Sequence, residues 1–118
     1  MIKTGIDIVQ ISRLEAAVKK QPNHFQQQVF TPAEWQRFID RNQSWSHLAG
    51  LLAAKEAIIK AWQQSGGQWL AIEIGVETGG APVIAKCDLA PPGWHGHISI
   101  AHDGDYAIAI SLWQLSSQ

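Results

Sequence analysis

The pattern of apolar and polar positions divides the chain into a mainly helical first half and a strand-rich second half. Residues 2–9 (IKTGIDIV) form a short run rich in β-branched side chains, which predicts an opening strand. Residues 48–62 (LAGLLAAKEAIIKAW) are apolar at helical spacing, which predicts a long buried helix. The only charged residues in this helix are Lys55, Glu56 and Lys60.

Two further helices are predicted between these elements from their N-terminal capping patterns. Ser12 followed by Glu15 has the form of a capping box, and the helix that it opens is predicted to run to about Lys20. Residues 31–34 (TPAE) repeat the pattern, with proline at the first helical position. This helix is predicted to end at about Asp40.

Four strands in two hairpins are predicted after the polar break at residues 63–67 (QQSGG). The first hairpin turns at Gly79-Gly80 and the second at residues 103–105 (DGD), both of which are typical tight-turn sequences. The four strands are predicted at residues 69–78, 82–86, 97–102 and 106–115. The resulting order, β-ααα-ββββ, is an α+β fold whose mostly antiparallel sheet packs on the long apolar helix.

Composition narrows the class of protein. With 118 residues, 46% of them hydrophobic, the chain is predicted to form a single domain over residues 1–118. A net charge of -1 argues against general nucleic-acid binding, which requires a basic surface. The single Cys87 excludes an internal disulfide, and neither a secretion signal nor an apolar run long enough for a membrane is present. We therefore expect a cytoplasmic protein.

The candidate chemistry lies in charged residues on apolar elements. Asp7 interrupts an apolar strand and Glu56 an apolar helix, and a buried carboxylate is costly unless it is paired or binds a cation. If strand and helix pack together, the two carboxylates suit Mg²⁺, and Lys60 suits a phosphate. The alternative is that Asp7 caps a turn and Glu56 pairs with Lys60 or with a snorkelling Lys55.

His102 is the histidine with the strongest claim to a function. It ends a predicted strand next to Asp103, where an imidazole can contact a phosphate or transfer protons. The alternative is a polar turn residue. His95 and His97 are spaced to share a strand face, but the sequence offers no third ligand for a zinc site.

Four segments in this order resemble the holo-acyl-carrier-protein synthase type of 4′-phosphopantetheinyl transferase. They are residues 5–9 (GIDIV) with Arg13, residues 29–34 (VFTPAE), residues 55–61 (KEAIIKA), and residues 99–103 (SIAHD) followed by 106–109 (YAIA). The resemblance covers nearly the whole chain. It implies the small α+β fold of that family, assembled as a homotrimer with active sites between subunits.

The resemblance also implies an activity and its residues. The reaction is transfer of the 4′-phosphopantetheine arm from coenzyme A to a serine of an apo acyl carrier protein, with release of 3′,5′-ADP. Mg²⁺, held by Asp7 and Glu56, would bridge the pyrophosphate while the serine oxygen attacks the β-phosphate. The resemblance also implies Lys60 at the pyrophosphate, with a catalytic role shared with Glu56, His102 at coenzyme A, and Arg13 at the acidic carrier protein. Lys55 is a further candidate for coenzyme A. Lys20 lies seven residues after Arg13 on about the same helix face, so it is a further candidate for the carrier protein, and the alternative is a solvated helix face.

Three departures from the family pattern lie on the coenzyme A side. Leu51 replaces the usual arginine, which is expected at the 3′-phosphate of coenzyme A. The Gly-Thr-Gly turn after the long helix is absent, and Ala101 replaces the serine before His102. These changes predict retained chemistry with weakened or altered coenzyme A recognition. The alternatives are a non-catalytic trimeric relative that acts as a binding or assembly protein, and another Mg²⁺-dependent nucleotide or pyrophosphate enzyme on the same scaffold.

Overall fold

In a computed structural model, residues 1–116 are described and form five strands, four α-helices and two short turns of other helical types. The strands are β1 (Ile2–Gln10), β2 (Ile72–Val76), β3 (Pro82–Cys87), β4 (Trp94–Asp103) and β5 (Tyr106–Leu115). The helices are α1 (Ile11–Lys20), α2 (Pro22–His24), α3 (Pro32–Asp40) and α4 (Trp45–Ala61). A π-helical turn, Phe25–Val29, follows α2, and a 3-10 turn, Trp69–Ala71, precedes β2.

The five strands form two sheets. β5 is the central strand of a three-stranded sheet with the order β1-β5-β4, and β2 pairs with β3 in a separate two-stranded sheet. Each of these pairings is antiparallel. The predicted α+β class with antiparallel strands packed on a long helix is therefore confirmed, whereas the expectation of one sheet is wrong.

The long helix α4 lies at the centre of the core. Its N-cap is Ser44, whose hydroxyl accepts a hydrogen bond from the backbone of His47, and eleven of its 17 residues are buried. The three-stranded sheet, α1, α3 and β2 all contact it, which is why it is apolar on nearly every side. Within residues 1–116, no helix combines the length and apolarity that crossing a membrane would require.

β1 approaches α4 so closely that only glycine fits at position 5. A Cβ atom on Gly5 would lie 1.9 Å from the carbonyl oxygen of Ala57 and 2.7 Å from the backbone nitrogen of Ala61. From β5, the Ser111 hydroxyl donates a hydrogen bond of 3.0 Å to the same Ala57 oxygen. These contacts determine how deeply the neighbouring residues of β1, including Asp7, are set against the helix.

The face of the three-stranded sheet that points away from α4 is apolar and exposed. Side chains alternate along a strand, so every second residue of β1 and β5 lies on this face. Seven large residues here are between 38% and 62% exposed: Ile2, Ile6, Ile8, Tyr106, Ile108, Ile110 and Leu112. We call these seven residues the open sheet face. A contiguous apolar surface of this kind usually marks an interface.

Glu34 connects α3, α4 and the two-stranded sheet through one buried carboxylate. The predicted capping box of α3 is present, because Glu34 Oε1 accepts from the Thr31 backbone at 2.9 Å and the Thr31 hydroxyl accepts from the Glu34 backbone. The same Oε1 accepts from Lys55 Nζ at 2.6 Å, and Oε2 accepts from the Ile74 backbone at 2.8 Å. Glu34 is fully buried, and breaking such a pair costs about 3–5 kcal/mol.

The predicted capping box at the start of α1 is not formed. The helix begins at Ile11 with Gln10 as its N-cap, and no side chain caps it. The Ser12 hydroxyl instead donates to Asp105 in the turn between β4 and β5, and Glu15 pairs with Lys19 one helical turn later. A partner 93 residues away in the chain therefore replaces the local one, because folding brings the hairpin turn to the start of α1.

Two strand boundaries also differ from the prediction. The segment predicted as a strand over residues 69–78 begins with the 3-10 turn and pairs only from Ile72. The strand predicted from residue 97 begins earlier, at Trp94, because β5 is long enough to pair with it up to Leu115. His95 and His97 therefore share one exposed strand face, as their spacing predicts.

Gly5→Ala is expected to destabilise the chain by about 1–3 kcal/mol or more, because the added methyl group overlaps the backbone of α4. Gly79→Ala is the matched control, since a Cβ atom at Gly79 meets no atom within 4 Å. Urea unfolding of both variants measures the difference. Equal unfolding free energies for the two variants would contradict the close approach of β1 to α4.

Candidate functional site

Asp7 and Lys60 form an ion pair between β1 and α4. Lys60 Nζ lies 2.8 Å from Asp7 Oδ1. The Asp7 side chain is 16% exposed and that of Lys60 is 56% exposed, so the carboxylate is largely enclosed while the ammonium reaches solvent. The structure thus brings together two of the residues that the sequence singled out.

Glu56 is held by an indole rather than by a lysine. Its Oε1 accepts a hydrogen bond of 3.1 Å from Trp69 Nε1, in the 3-10 turn that follows α4. Neither of the predicted pairs of Glu56, with Lys60 or with Lys55, is formed, because each lysine bonds a different carboxylate. Glu56 is half-buried, and within residues 1–116 its carboxylate has no lysine or arginine as a hydrogen-bond partner.

The directions of β1 and α4 set the position of Asp7 relative to Glu56. The two elements run antiparallel, because the start of β1 contacts α4 near Ala61, whereas the end of β1 shares a groove with Leu52. Asp7 lies between these two contacts and bonds Lys60. Glu56 lies one helical turn before Lys60 on the same face of α4, so the lysine that bonds Asp7 is the helix neighbour of Glu56.

The two carboxylates suit a divalent cation that takes further oxygens from a ligand. Within residues 1–116, no three His, Cys, Asp or Glu side chains cluster as a complete metal site. The hydrogen bonds described above use Oδ1 of Asp7 and Oε1 of Glu56. Within residues 1–116, the second oxygen of each carboxylate accepts no hydrogen bond. Mg²⁺ typically binds one or two carboxylates and completes its octahedron with water and phosphate oxygens. The donor set therefore fits Mg²⁺.

The structure corrects the interpretation of Lys55 as a coenzyme A ligand or as a snorkelling side chain. Its side chain is 0% exposed, and Nζ lies 2.6 Å from Glu34 Oε1 and 5.8 Å from the centre of the Phe30 ring. Burial lowers the pKa of Lys55, against the charge and the hydrogen bond of Glu34, which raise it. Lys55 lies at the centre of the apolar stripe of α4, and its buried ammonium is paired with the Glu34 carboxylate. Its role is therefore structural.

His102 lies near the end of β4 against the start of α4. Its Nε2 is 2.9 Å from the carbonyl oxygen of Ser46. A carbonyl can only accept, so we assign the proton to Nε2, which leaves Nδ1 for a ligand. Gly50 makes room for the ring, because a Cβ atom there would lie 3.1 Å from Nε2.

A cavity of about 200 Å³ lies next to His102, between α4, the hairpin of β2 and β3, and β4. Leu51 and Ile100 contribute to its apolar wall, and Arg41 and His47 supply polar groups. Drug-sized ligands occupy about 300–1,000 Å³, so the cavity accommodates one part of a larger ligand.

Sequence reasoning missed the role of Arg41 and His47 in this cavity. The spacing of four residues between Arg37 and Arg41 is typical of a basic pair on one helix face. The Arg37 guanidinium is instead half-buried and donates to the Ile74 carbonyl oxygen, whereas Arg41 NH1 lies 3.3 Å from His47 Nδ1. One feature of the sequence could have indicated this cavity, because His47 lies one helical turn before Leu51 in a mainly apolar part of the helix.

A second, apolar groove runs along α1. It has a volume of about 310 Å³ and lies next to the end of β1, with Arg13, Phe25 and Leu52 among its lining residues. Arg13 and Lys20 are both exposed, and their spacing of seven residues places them on one face of α1. Lys19 differs from them, because it forms an ion pair of 2.6 Å with Glu15. The groove therefore combines an apolar floor with two positive charges on the adjoining helix.

Comparison with a protein-family model identifies the relationship of the chain. Residues 3–111 match the model described as the 4′-phosphopantetheinyl transferase superfamily. A holo-[acyl-carrier-protein] synthase of Moorella thermoacetica is 39% identical over 124 residues, which cover 98% of this chain and 96% of that protein.

Solved structures resemble the whole fold. The holo-[acyl-carrier-protein] synthase of Helicobacter pylori in complex with coenzyme A has a TM-score of 0.80 and 32% identity, over 97% of this chain and 100% of that one. The ACPS–CoA complex of Chronobacterium ammoniagenes has a TM-score of 0.83 and 30% identity, over 98% of both chains. The similarity thus extends over almost the full length of each pair.

His47 is expected to make the chain less stable in mild acid. Burial above all, and then the charges of Arg41, Arg37 and His102, lower the pKa of His47 from 6.5 to about 4. Between these values the unfolded chain binds a proton at His47 that the folded chain does not, so the unfolding free energy falls as the pH falls from about 6.5 to about 4. Urea unfolding at several pH values in this range measures the slope.

The control is His47→Phe, which keeps a ring but cannot bind the proton. Carboxylates also titrate in this range, so the prediction concerns the difference between the two chains. Wild type is expected to lose more stability than His47→Phe between pH 7 and pH 4.5. Parallel losses in both chains would show that His47 titrates equally in the folded and unfolded states.

Proposed function

The chain belongs to the 4′-phosphopantetheinyl transferase superfamily, and on that premise we propose that it transfers the 4′-phosphopantetheine arm of coenzyme A to a serine of an apo acyl carrier protein. The names of its relatives and the coenzyme A bound in similar structures support these two substrates. The observation that carries the proposal is the Asp7–Lys60 ion pair next to Glu56. Two carboxylates and an ammonium at one edge can position and neutralise a pyrophosphate, which is the main requirement of phosphoryl transfer.

In the proposed reaction, a bond forms between the serine oxygen of the carrier and the β-phosphorus of coenzyme A. The bond from that phosphorus to the bridging oxygen of the pyrophosphate breaks at the same centre. The bridging oxygen leaves as part of 3′,5′-ADP, and the serine proton is lost to solvent. The carrier keeps the arm as a phosphodiester.

Asp7 and Glu56 are the residues that would hold Mg²⁺, which when bound supplies positive charge to the pyrophosphate oxygens. Glu56 is already held in place by Trp69, so it need not reorganise. Lys60 forms an ion pair with Asp7. Because Lys60 has a long and half-exposed stem, its ammonium can turn from Asp7 to a phosphate oxygen when the substrate binds.

The groove along α1 is the proposed surface for the carrier protein. It adjoins β1 just beyond Asp7, so a carrier docked there would present its serine close to the carboxylates. Arg13 and Lys20 are exposed on one helix face, where they can attract an acidic partner despite the slightly negative total charge of the chain.

The open sheet face is the proposed interface of a homotrimer. Seven large apolar residues that remain between 38% and 62% exposed favour a permanent partner over contact with water. A closed ring of identical chains would bury this face in every subunit. The number three comes from the family resemblance.

Incubation of the chain with apo acyl carrier protein, coenzyme A and Mg²⁺ is expected to add one phosphopantetheine arm to the carrier, as measured by intact mass. EDTA is expected to abolish the transfer. Asp7→Asn and Glu56→Gln each remove a charge with little change of shape, and each is expected to slow the transfer by about 10²-fold or more. Lys60→Met is expected to slow it similarly.

Lys86→Met is the matched control for Lys60→Met, because the two lysine side chains are 52% and 56% exposed and Lys86 lies in β3, outside the site. It is expected to keep the wild-type rate. Absence of transfer to several apo carriers at high coenzyme A, while a known transferase modifies them, would favour the non-catalytic trimeric relative instead.

Ile110→Glu is expected to convert a trimer into monomers, because it places a charge at the centre of the open sheet face. Leu70→Glu is the matched control, since Leu70 is 42% exposed and Ile110 is 43% exposed, but Leu70 lies in the 3-10 turn outside that face. Light scattering after size exclusion measures both masses. A monomeric wild type, or a trimeric Ile110→Glu variant, would rule out this interface.

A further inference from the structure

The cavity beside His102 has the chemistry of a site for a phosphate attached to a larger organic group. Arg41 lies at its edge with an exposed side chain, and His47 and His102 line it together with apolar side chains that include Leu51 and Ile100. A guanidinium recognises phosphate oxygens through two parallel hydrogen bonds. The apolar wall suits the organic part of the same ligand.

The contact between Arg41 and His47 leaves a hydrogen-bond donor free inside the wall. Arg41 NH1 lies 3.3 Å from His47 Nδ1, and a guanidinium can only donate, so Nδ1 accepts. His47 is neutral near pH 7, because burial and the nearby positive charges lower its pKa to about 4. We therefore assign its proton to Nε2, which is buried and has no hydrogen-bond partner within residues 1–116. This N–H group is enclosed by protein, whereas the accepting Nδ1 holds Arg41 NH1 at the cavity.

His102 contributes less to anion binding. Its Nε2 is already bonded to the Ser46 carbonyl oxygen at 2.9 Å, so this nitrogen is not available to a phosphate. The permanent positive charge of the cavity is that of Arg41, which the Nδ1 atom of His47 holds in place. Leu51, on the wall of the same cavity, adds no donor.

The backbone after Arg41 is held in an uncommon conformation. Asn42 and Gln43 both have a φ angle of 55°, in the left-handed region that non-glycine residues seldom adopt. The Gln43 backbone N–H donates to the Phe38 carbonyl oxygen at 2.9 Å, and the Asn42 N–H donates to that of Ile39 at 3.1 Å. This tight turn follows the C-cap of α3, Arg41, and leads within a few residues to α4. The short connection keeps Arg41 next to the cavity.

We propose that Arg41, assisted by His47, is the residue that selects the terminal 3′-phosphate of coenzyme A in this chain. The proposal rests on the proposed function, since it identifies which end of that substrate enters the cavity. Coenzyme A carries one phosphomonoester, on the ribose, whereas dephospho-coenzyme A lacks it and is otherwise the same molecule. Position 51, where the family usually has an arginine, is a leucine in this chain. Arg41 supplies a cation to the same cavity instead.

The test is calorimetric binding of coenzyme A and of dephospho-coenzyme A, both with Mg²⁺, to the full chain. Wild type is expected to bind coenzyme A more tightly. Arg41→Met is expected to weaken coenzyme A about tenfold or more and dephospho-coenzyme A less than about twofold, because only the first ligand loses a charge-assisted contact. Arg41→Lys should keep part of the preference, because it keeps the charge but not the two-pronged geometry.

Two further variants make the test specific to the cavity. His47→Phe removes the Nδ1 acceptor that holds Arg41 and is expected to reduce the same preference by a smaller factor. Leu51→Arg added to Arg41→Met is expected to restore preference for coenzyme A, because both positions line the same cavity. Lys86→Met is the control for loss of a surface charge outside the cavity and should leave both affinities unchanged.

The outcomes separate this proposal from the proposed function. If wild type binds coenzyme A and modifies the carrier, but Arg41→Met weakens both ligands equally or neither, the assignment of Arg41 is wrong and the function stands. If wild type binds neither ligand and modifies no carrier, the proposed function fails, and the assignment of Arg41 fails with it. Melting temperatures of all variants exclude unfolding as the cause of a lost affinity.

Discussion

The depth at which β1 packs on α4 determines the position of each charged group in the candidate site. At Gly5 the strand backbone lies against the helix backbone with no side chain between them. Two residues later, Asp7 meets Lys60 from the side of the helix, at the edge where solvent begins. A larger residue at position 5 would push the strand outward and separate this carboxylate from α4. The site therefore depends on a contact that contains no functional group.

The charges of α4 illustrate how burial divides similar residues between structure and chemistry. Lys55 and Lys60 are both lysines on one helix, but Lys55 is fully buried against Glu34, whereas Lys60 is more than half exposed beside Asp7. The buried pair connects α3, α4 and β2 and is closed to solvent. The exposed ammonium can exchange a carboxylate for a phosphate at little cost, because water screens the intermediate positions.

Of the three departures from the family pattern, the structure places Leu51 in the cavity beside His102, together with Arg41 and His47. Asp7, Glu56 and Lys60 are not part of the lining of this cavity. Under the proposed function, changes in the cavity can therefore alter recognition of the substrate without disturbing the groups that neutralise its pyrophosphate. The first half of α4 would then contribute to recognition and the second half to the reaction.

The elements that local interactions define could be predicted from the sequence. Thr31 and Glu34 of the capping box are only three positions apart, and the hairpin predicted at residues 103–105 turns through Gly104 and Asp105. The burial of α4 follows from the side chains that it carries itself. The same reasoning identified Asp7, Glu56 and Lys60, because a charge within an apolar element is conspicuous without any knowledge of the fold. The antiparallel α+β architecture followed from these elements and their order.

The partners of those charges were decided by the tertiary structure. Lys55 bonds a carboxylate 21 positions away, Lys60 one that is 53 positions away, and Ser12 one that is 93 positions away. The free energy of such a pair depends on the distance between its atoms and on the water removed around them, and both are set only when the helices and sheets have packed. The division into two sheets and the cavity of Arg41 and His47 were unpredictable for the same reason. The sequence thus specifies which groups must find a partner or a ligand, and the packing of the fold determines which partner each group finds.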